Sequence, residues 1–247
     1  MTEFKEKWIG FWKPVLVVVL AIALVLFEPD LGSSAVIFLI SLTIMFIAGA
    51  PLKQMSIILF MGLMVFVSMI ILVPWRMQRI LSFVDPWSAY GESGYQLSQA
   101  LIAFSRGDLF GVGLGESLQK YHYLPDAQTD FIFAIIAEEM GLLFCILLVM
   151  LFSFLIFKCF YIGRLARHAR YYLGSYISYG AGICIALHVF INIGVSSGML
   201  PTKGITLPFI SFGGTNLLLM FALVALVLRI NFEISESFSN KNKILNV

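Results

Sequence analysis

The few charged residues that interrupt the apolar runs of this chain are its candidates for chemistry. The stretch Leu124-Pro125-Asp126-Ala127-Gln128-Thr129-Asp130 opens onto a long apolar run from Phe131. Pro125 and the Asp/Thr cluster are helix-start signals. Asp130 has two compatible readings. It is an N-cap for free backbone N–H groups, or a carboxylate at a membrane boundary that faces a cavity and could act as a general base. Glu138 and Glu139 follow eight and nine residues later, roughly 12–13 Å deeper at about 1.5 Å per residue. At about 100° per residue, Glu138 is some 80° around the helix from Asp130 and Glu139 is roughly opposite. Both cannot face one cavity. Each is protonated or structurally paired, or one is an acid of an active-site cavity. Arg76 and Arg79, three apart, fit interfacial snorkelling or recognition of a phosphate or pyrophosphate. Lys203, in Pro201-Thr202-Lys203-Gly204, admits the same two readings. His188 and Asn192, four apart, read as a helix–helix hydrogen-bonding pair. There is no metal-ligand spacing, P-loop or GxSxG elbow.

The elements that must position these residues are membrane spans. Of 247 residues, 60% are hydrophobic and only 12% charged, against roughly 45–50% and 25% in soluble domains. Mean hydropathy is +0.95. This excludes a soluble enzyme, a disordered protein and a nucleic-acid binder. The expectation is an all-α, polytopic helical membrane protein forming one domain over 1–247. A bilayer core needs about 20 apolar residues per helix. Six runs qualify, at about 9–27, 31–50, 55–74, 131–157, 172–200 and 206–230. Cys145, Cys159 and Cys184 lie in or beside apolar runs and read as packing residues. Numbering the flanks alternately puts Lys5, Lys7, Lys13, Lys53, Lys158, Arg164, Arg167, Arg170, Arg229, Lys241 and Lys243 on one side, eleven of the sixteen basic residues. Acids, including Glu28, Asp30, Glu92 and Asp130, lean to the other. The positive-inside rule then predicts cytoplasmic termini, with 28–30, 75–130 and 201–205 facing outward. The large loop 75–130 is too aromatic for disorder. Leu97, Ala100, Leu101 and Phe104 have i, i+3, i+4, i+7 spacing, which predicts a short amphipathic helix at the membrane surface. Glycines at 107, 111, 113 and 115 break it. The large loop is expected to be a structured outer cap.

Several blocks, in order, resemble the bacterial SEDS family (shape, elongation, division, sporulation). They are Glu28-Pro29-Asp30-Leu31-Gly32, Arg79 to Trp87 (RILSFVDPW), Gly94 to Gln99, Ala103 to Gly107, Gly111 to Gly115, Tyr123 to Phe133 (YLPDAQTDFIF), Glu138-Glu139-Met140-Gly141, and Gly198 to Gly214 (GMLPTKGITLPFISFGG). The Pro-Thr-Lys-Gly form is more similar to division-type than to elongation-type members. The resemblance implies a peptidoglycan glycosyltransferase that polymerises lipid II on the outer face of the bacterial inner membrane, at the division septum. Asp130 matches the family's proposed catalytic carboxylate, which would deprotonate the acceptor's sugar 4-hydroxyl. Arg76, Arg79, Lys203 or a divalent cation would offset the charge of the pyrophosphate leaving group. Members are generally assayed with magnesium or manganese, and no built-in metal site is visible. They work with a class B penicillin-binding protein and other division proteins. The chain departs from the family in two ways. Members have about ten spans, so about four N-terminal spans are not represented. His122 stands where division-type members often carry an acid. A flippase for the lipid-linked precursor and an inactive, truncated scaffold remain as alternatives.

Overall fold

The computed structural model describes residues 8–88, 90 and 94–245, and every regular element among them is helical. The charge sorting at Lys5, Lys7 and Glu92 lies outside the described residues, as do the side chains of His122, Lys241 and Lys243. The helices are α1 (Trp8–Phe27), α2 (Leu31–Ile47), α3 (Leu52–Ile71), α4 (Pro74–Val84), α5 (Tyr95–Gly107), α6 (Ile132–His168), α7 (Tyr172–Ser196) and α8 (Gly214–Leu245), with a five-residue π turn at Gln119–Tyr123. By length and composition, α3, α6, α7 and α8 can each cross a membrane, while α1 and α2 are apolar but have shorter qualifying stretches.

Helix α7 is the hub and packs on α2, α5, α6 and α8. Its buried face carries Gly174, Ser175, Ser178, Ala181 and Gly182. Such small residues let helix backbones approach closely inside a membrane; a Cβ on Gly182 would lie 3.0 Å from Cys159 Cβ. Cys145 and Cys159 are buried in the same core as Phe133, Phe152, Ile185, Leu207 and Met220. A smaller core of Phe11, Val15, Met45 and Met55 joins α1, α2 and α3.

Three features near the site refine the sequence expectation. The last helix starts at Gly214, not at 206. Pro208 cannot donate a helix bond, and Leu207 N–H donates to Ser211 Oγ at 2.7 Å instead. Arg76 and Arg79 sit on α4, a helix started by Pro74 at its first position, within the stretch read as loop. The amphipathic helix expected in the large loop is α5, and it packs against α6 and α7. Its polar Ser98 and Gln99 are buried because they reach Pro86 O at 3.1 Å and the Tyr90 hydroxyl at 2.9 Å.

Helix α6 is broken at Gly141, where φ is 76° and ψ is 179°. A continuous helix would bond Leu142 N–H to Glu138 O and Leu143 N–H to Glu139 O. Here the segment after α5 inserts between them. Val112 N and Gly113 N donate to Glu138 O and Glu139 O, both at 3.0 Å, and Leu142 N and Leu143 N donate to Asp108 O and Leu109 O at 2.9 and 3.3 Å. Four backbone groups are thus satisfied in a setting that cannot leave them bare. The approach is close enough that a Cβ on Gly141 would collide with the Gly111 backbone. Gly141→Ala therefore adds a steric clash to a left-handed φ and should cost about 3 kcal/mol or more. Gly49, also left-handed at φ 88°, has open space around its Cβ position, and Gly49→Ala should cost only about 1–2 kcal/mol. Thermal unfolding in detergent checks the ranking, and equal midpoints for the two variants would contradict the insertion.

Candidate functional site

All three predicted cations line one groove of about 210 Å³, together with Leu31, Phe66, Ile70, Trp75, Ile80 and Leu200 among others. Helix α4 presents Arg76 and Arg79 one turn apart, and their guanidinium carbons lie 5.2 and 5.3 Å from the Trp75 ring centre. Arg76 donates to Met69 O at 3.1 Å and Pro29 O at 3.3 Å. Arg79 reaches Thr202 O at 3.5 Å. Lys203 lies along Gly32, where a Cβ would strike its stem, and its Nζ is 2.6 Å from Asp30 Oδ1. The groove is therefore apolar along its walls and cationic at one end, which suits an amphiphilic anion.

Asp30 was not singled out by sequence. It caps α2, accepting from Ser33 N at 3.0 Å and Ser33 Oγ at 2.6 Å, while also holding Lys203. The Asp-x-x-Ser spacing ahead of an apolar run was the available signal. Burial pushes its carboxyl up, but Lys203 and the Ser33 donors outweigh that and bring it from 3.8 to about 2.

Asp130 leaves the chain at the end of a turn in which Thr129 N, Asp130 N and Phe131 N all point to Asp126 O. The N-cap position of α6 is Phe131, with no side-chain cap. Asp130 is therefore not the cap; its carboxylate lies against Gly204, where a Cβ would collide with Oδ2. Burial pushes its pKa up and Asp126 adds to this, while Lys203 and Arg79 pull down without reversing it. Such a carboxylate is more basic than an ordinary one. His188 and Asn192 do not pair with each other. His188 Nδ1 is 2.9 Å from Cys184 O in its own helix. Asn192 Nδ2 donates to Asp130 O at 2.8 Å and Ile205 O at 2.7 Å, because these loop carbonyls have no helical partner. Ser211 Oγ donates to Thr129 O at 2.6 Å, and Phe212 N donates to Gln128 O at 2.9 Å.

Glu138 and Glu139 are held away from the groove. Glu138 is fully buried, pairs with Arg106 and accepts from Ser117 Oγ and from Leu118 N at 3.3 Å. Glu139 meets Lys120 Nζ at 2.7 Å. Both acids engage one segment because residues 106–120 wrap around that side of α6. Among the described residues, no group of three or more His, Cys, Asp or Glu is placed to hold a metal ion.

Asp30→Asn keeps a cap acceptor but removes the charge that holds Lys203. The pair is about one-third exposed on each side, 32% for Lys203 and 34% for Asp30, so its loss should cost at most about 1 kcal/mol at pH 7. The folded carboxyl is depressed, so this stability is present above pH 3.8 and is lost as pH falls through about 2. Unfolding midpoints of the two proteins should differ at pH 7 and converge near pH 2; a constant difference would contradict the ion pair.

Comparison with known proteins places this architecture. The family model described as Cell cycle protein, for FtsW, RodA and SpoVE, matches residues 1–236. The chain is 46% identical over 234 residues to the probable peptidoglycan glycosyltransferase FtsW of Saccharophagus degradans, covering 95% of this chain and 60% of the relative. To that of Coxiella burnetii it is 47% identical over 232 residues, covering 94% and 62%. The chain thus spans about 60% of the length of these relatives. A solved structure described as the structural coordination of polymerization and crosslinking by a peptidoglycan synthase complex superposes with a TM-score of 0.70 at 23% identity, over 92% of this chain and 63% of that one, so the helical fold is shared. On the family match across nearly its whole length, the chain belongs to the FtsW/RodA/SpoVE family of cell cycle proteins.

Proposed function

We propose that this chain carries the catalytic centre of a peptidoglycan glycosyltransferase that polymerises lipid II into glycan strands during septal wall synthesis and cell division. The supporting observation is Asp130, a carboxylate that accepts no hydrogen bond from the helix it precedes and lies against Gly204, next to Lys203 of a cationic, apolar-walled groove. In this reading Asp130 takes the proton of the acceptor's sugar 4-hydroxyl. The freed oxygen bonds to the anomeric carbon of the donor. The bond from that carbon to the pyrophosphate breaks, and undecaprenyl pyrophosphate leaves with the electron pair. Arg76, Arg79 and Lys203 offset its charge, with Lys203 exchanging Asp30 for the phosphate. Magnesium or manganese would enter on the substrate's pyrophosphate.

The lysine and arginine bias supports cytoplasmic termini and an outward-facing groove in the inner membrane. Two lipid-linked substrates that meet at the outer leaflet would find the base in their own layer. A class B penicillin-binding protein is the partner that would cross-link the product. Glu138 and Glu139 are committed to residues 106–120, and no observation favours a flippase.

The test is glycan-strand formation from purified lipid II by the chain reconstituted with a class B penicillin-binding protein. Removing a general base costs about 10²–10⁴-fold, and Asp130→Ala should lose that much. Polymerisation at the unsubstituted rate by Asp130→Ala would overturn the assignment. No polymerisation by either protein would favour a scaffold.

A further inference from the structure

Asn192 lies in the interior of α7 and is 0% exposed. Its Nδ2 carries two N–H donors, and each has a partner, Asp130 O at 2.8 Å and Ile205 O at 2.7 Å. The reversed amide would set an oxygen against two carbonyl oxygens, so only this orientation bonds. Both acceptors belong to the groups that matter. One is the peptide of Asp130 itself. The other follows Gly204, the residue against which the Asp130 carboxylate lies, and is two residues past Lys203.

We propose that Asn192 is the positioning residue of the site: one amide nitrogen on α7, which packs on four other helices, fixes where the Asp130 carboxylate stands relative to Gly204 and Lys203. This rests on the glycosyltransferase reading of Asp130. The role differs from simple fastening of the loop, because a second fastening exists. Ser211 accepts from Leu207 N at 2.7 Å and donates to Thr129 O at 2.6 Å, and Phe212 N donates to Gln128 O at 2.9 Å. Without Asn192 the loop stays attached, but the carbonyl of Asp130 and that of Ile205 lose their shared partner. The carboxylate and Lys203 can then drift apart. A misplacement of about 1 Å costs on the order of 10²-fold in rate, whereas binding in the groove through Arg76 and Arg79 on α4 is untouched.

The experiment is steady-state polymerisation of purified lipid II by the complex with a class B penicillin-binding protein, with Asp130→Asn, Asn192→Leu, Asn192→Asp and Ser211→Ala beside the unsubstituted protein. Thermal midpoints are measured on each. Asn192→Leu removes both donors while keeping the side chain's branching, and Asn192→Asp replaces them by an acceptor. Both should lower kcat about 10–100-fold with KM for lipid II within about twofold, a split that a folding role does not produce. Ser211→Ala should lower the midpoint comparably but cost kcat less than Asn192→Leu. Asp130→Asn inactive with Asn192→Leu at full rate overturns this inference alone. Asp130→Asn at full rate overturns the base reading and this inference with it. A KM rise that accounts for the loss, or failure of both Asn192 variants to fold, also overturns it.

Discussion

One amide nitrogen holds two carbonyls, those of Asp130 and Ile205, and the geometry of the site depends on it. The reason lies in the solvent. A loop in water satisfies its backbone with water, whereas a loop at the end of an apolar bundle must find protein partners. Residues 126–131 and 201–213 find them in each other through Asn192, Ser211 and Phe212. A carboxylate and a lysine far apart in sequence are thereby held on one rigid frame, whose central post is the small-residue helix α7.

The same constraint acts deeper in the bundle. At Gly141 the helix gives up two of its own hydrogen bonds, and the backbone of 108–113 supplies all four missing partners. Glu138 and Glu139 then tie down side chains on both flanks of that segment, Arg106 before it and Ser117 and Lys120 after it. The buried Glu138 and the half-buried Glu139 anchor the chain segment that follows α5. Pairing with Arg106 answers the cost of burying the Glu138 carboxylate.

Much of the site was legible because charge is scarce. In a chain that is 12% charged, Asp130, Arg76, Arg79 and Lys203 stand out, and the groove collects the three cations together. The helical class and most of the apolar runs followed from length and hydropathy. What was hidden depends on partners far along the chain. The break at Gly141 sits inside an unbroken apolar run and shows only when 108–113 packs into it. Residues 206–213 are as apolar as a helix, yet they close a turn of their own, with Ile210 N and Ser211 N donating to Leu207 O, and are tied to the other loop by Phe212 N and Ser211 Oγ. Helix α4 carries enough polar residues to read as loop. Asn192 signalled a polar contact, but its spacing to His188 suggested the wrong partner, since two unsatisfied carbonyls outcompete a side chain one turn away.

In the proposed reaction Asp130 is an ionised base whose pKa its surroundings raise. Burial and Asp126 push it up, and Lys203 and Arg79 only partly offset them. The pH–rate profile of kcat for lipid II polymerisation tests this directly. The rate should fall on the acid side through a pKa above the ordinary carboxylate value. Lys203→Met should move that limb to higher pH, because the removed cation favoured the charged form. An acid limb that persists unchanged in the residual rate of Asp130→Asn would contradict the account.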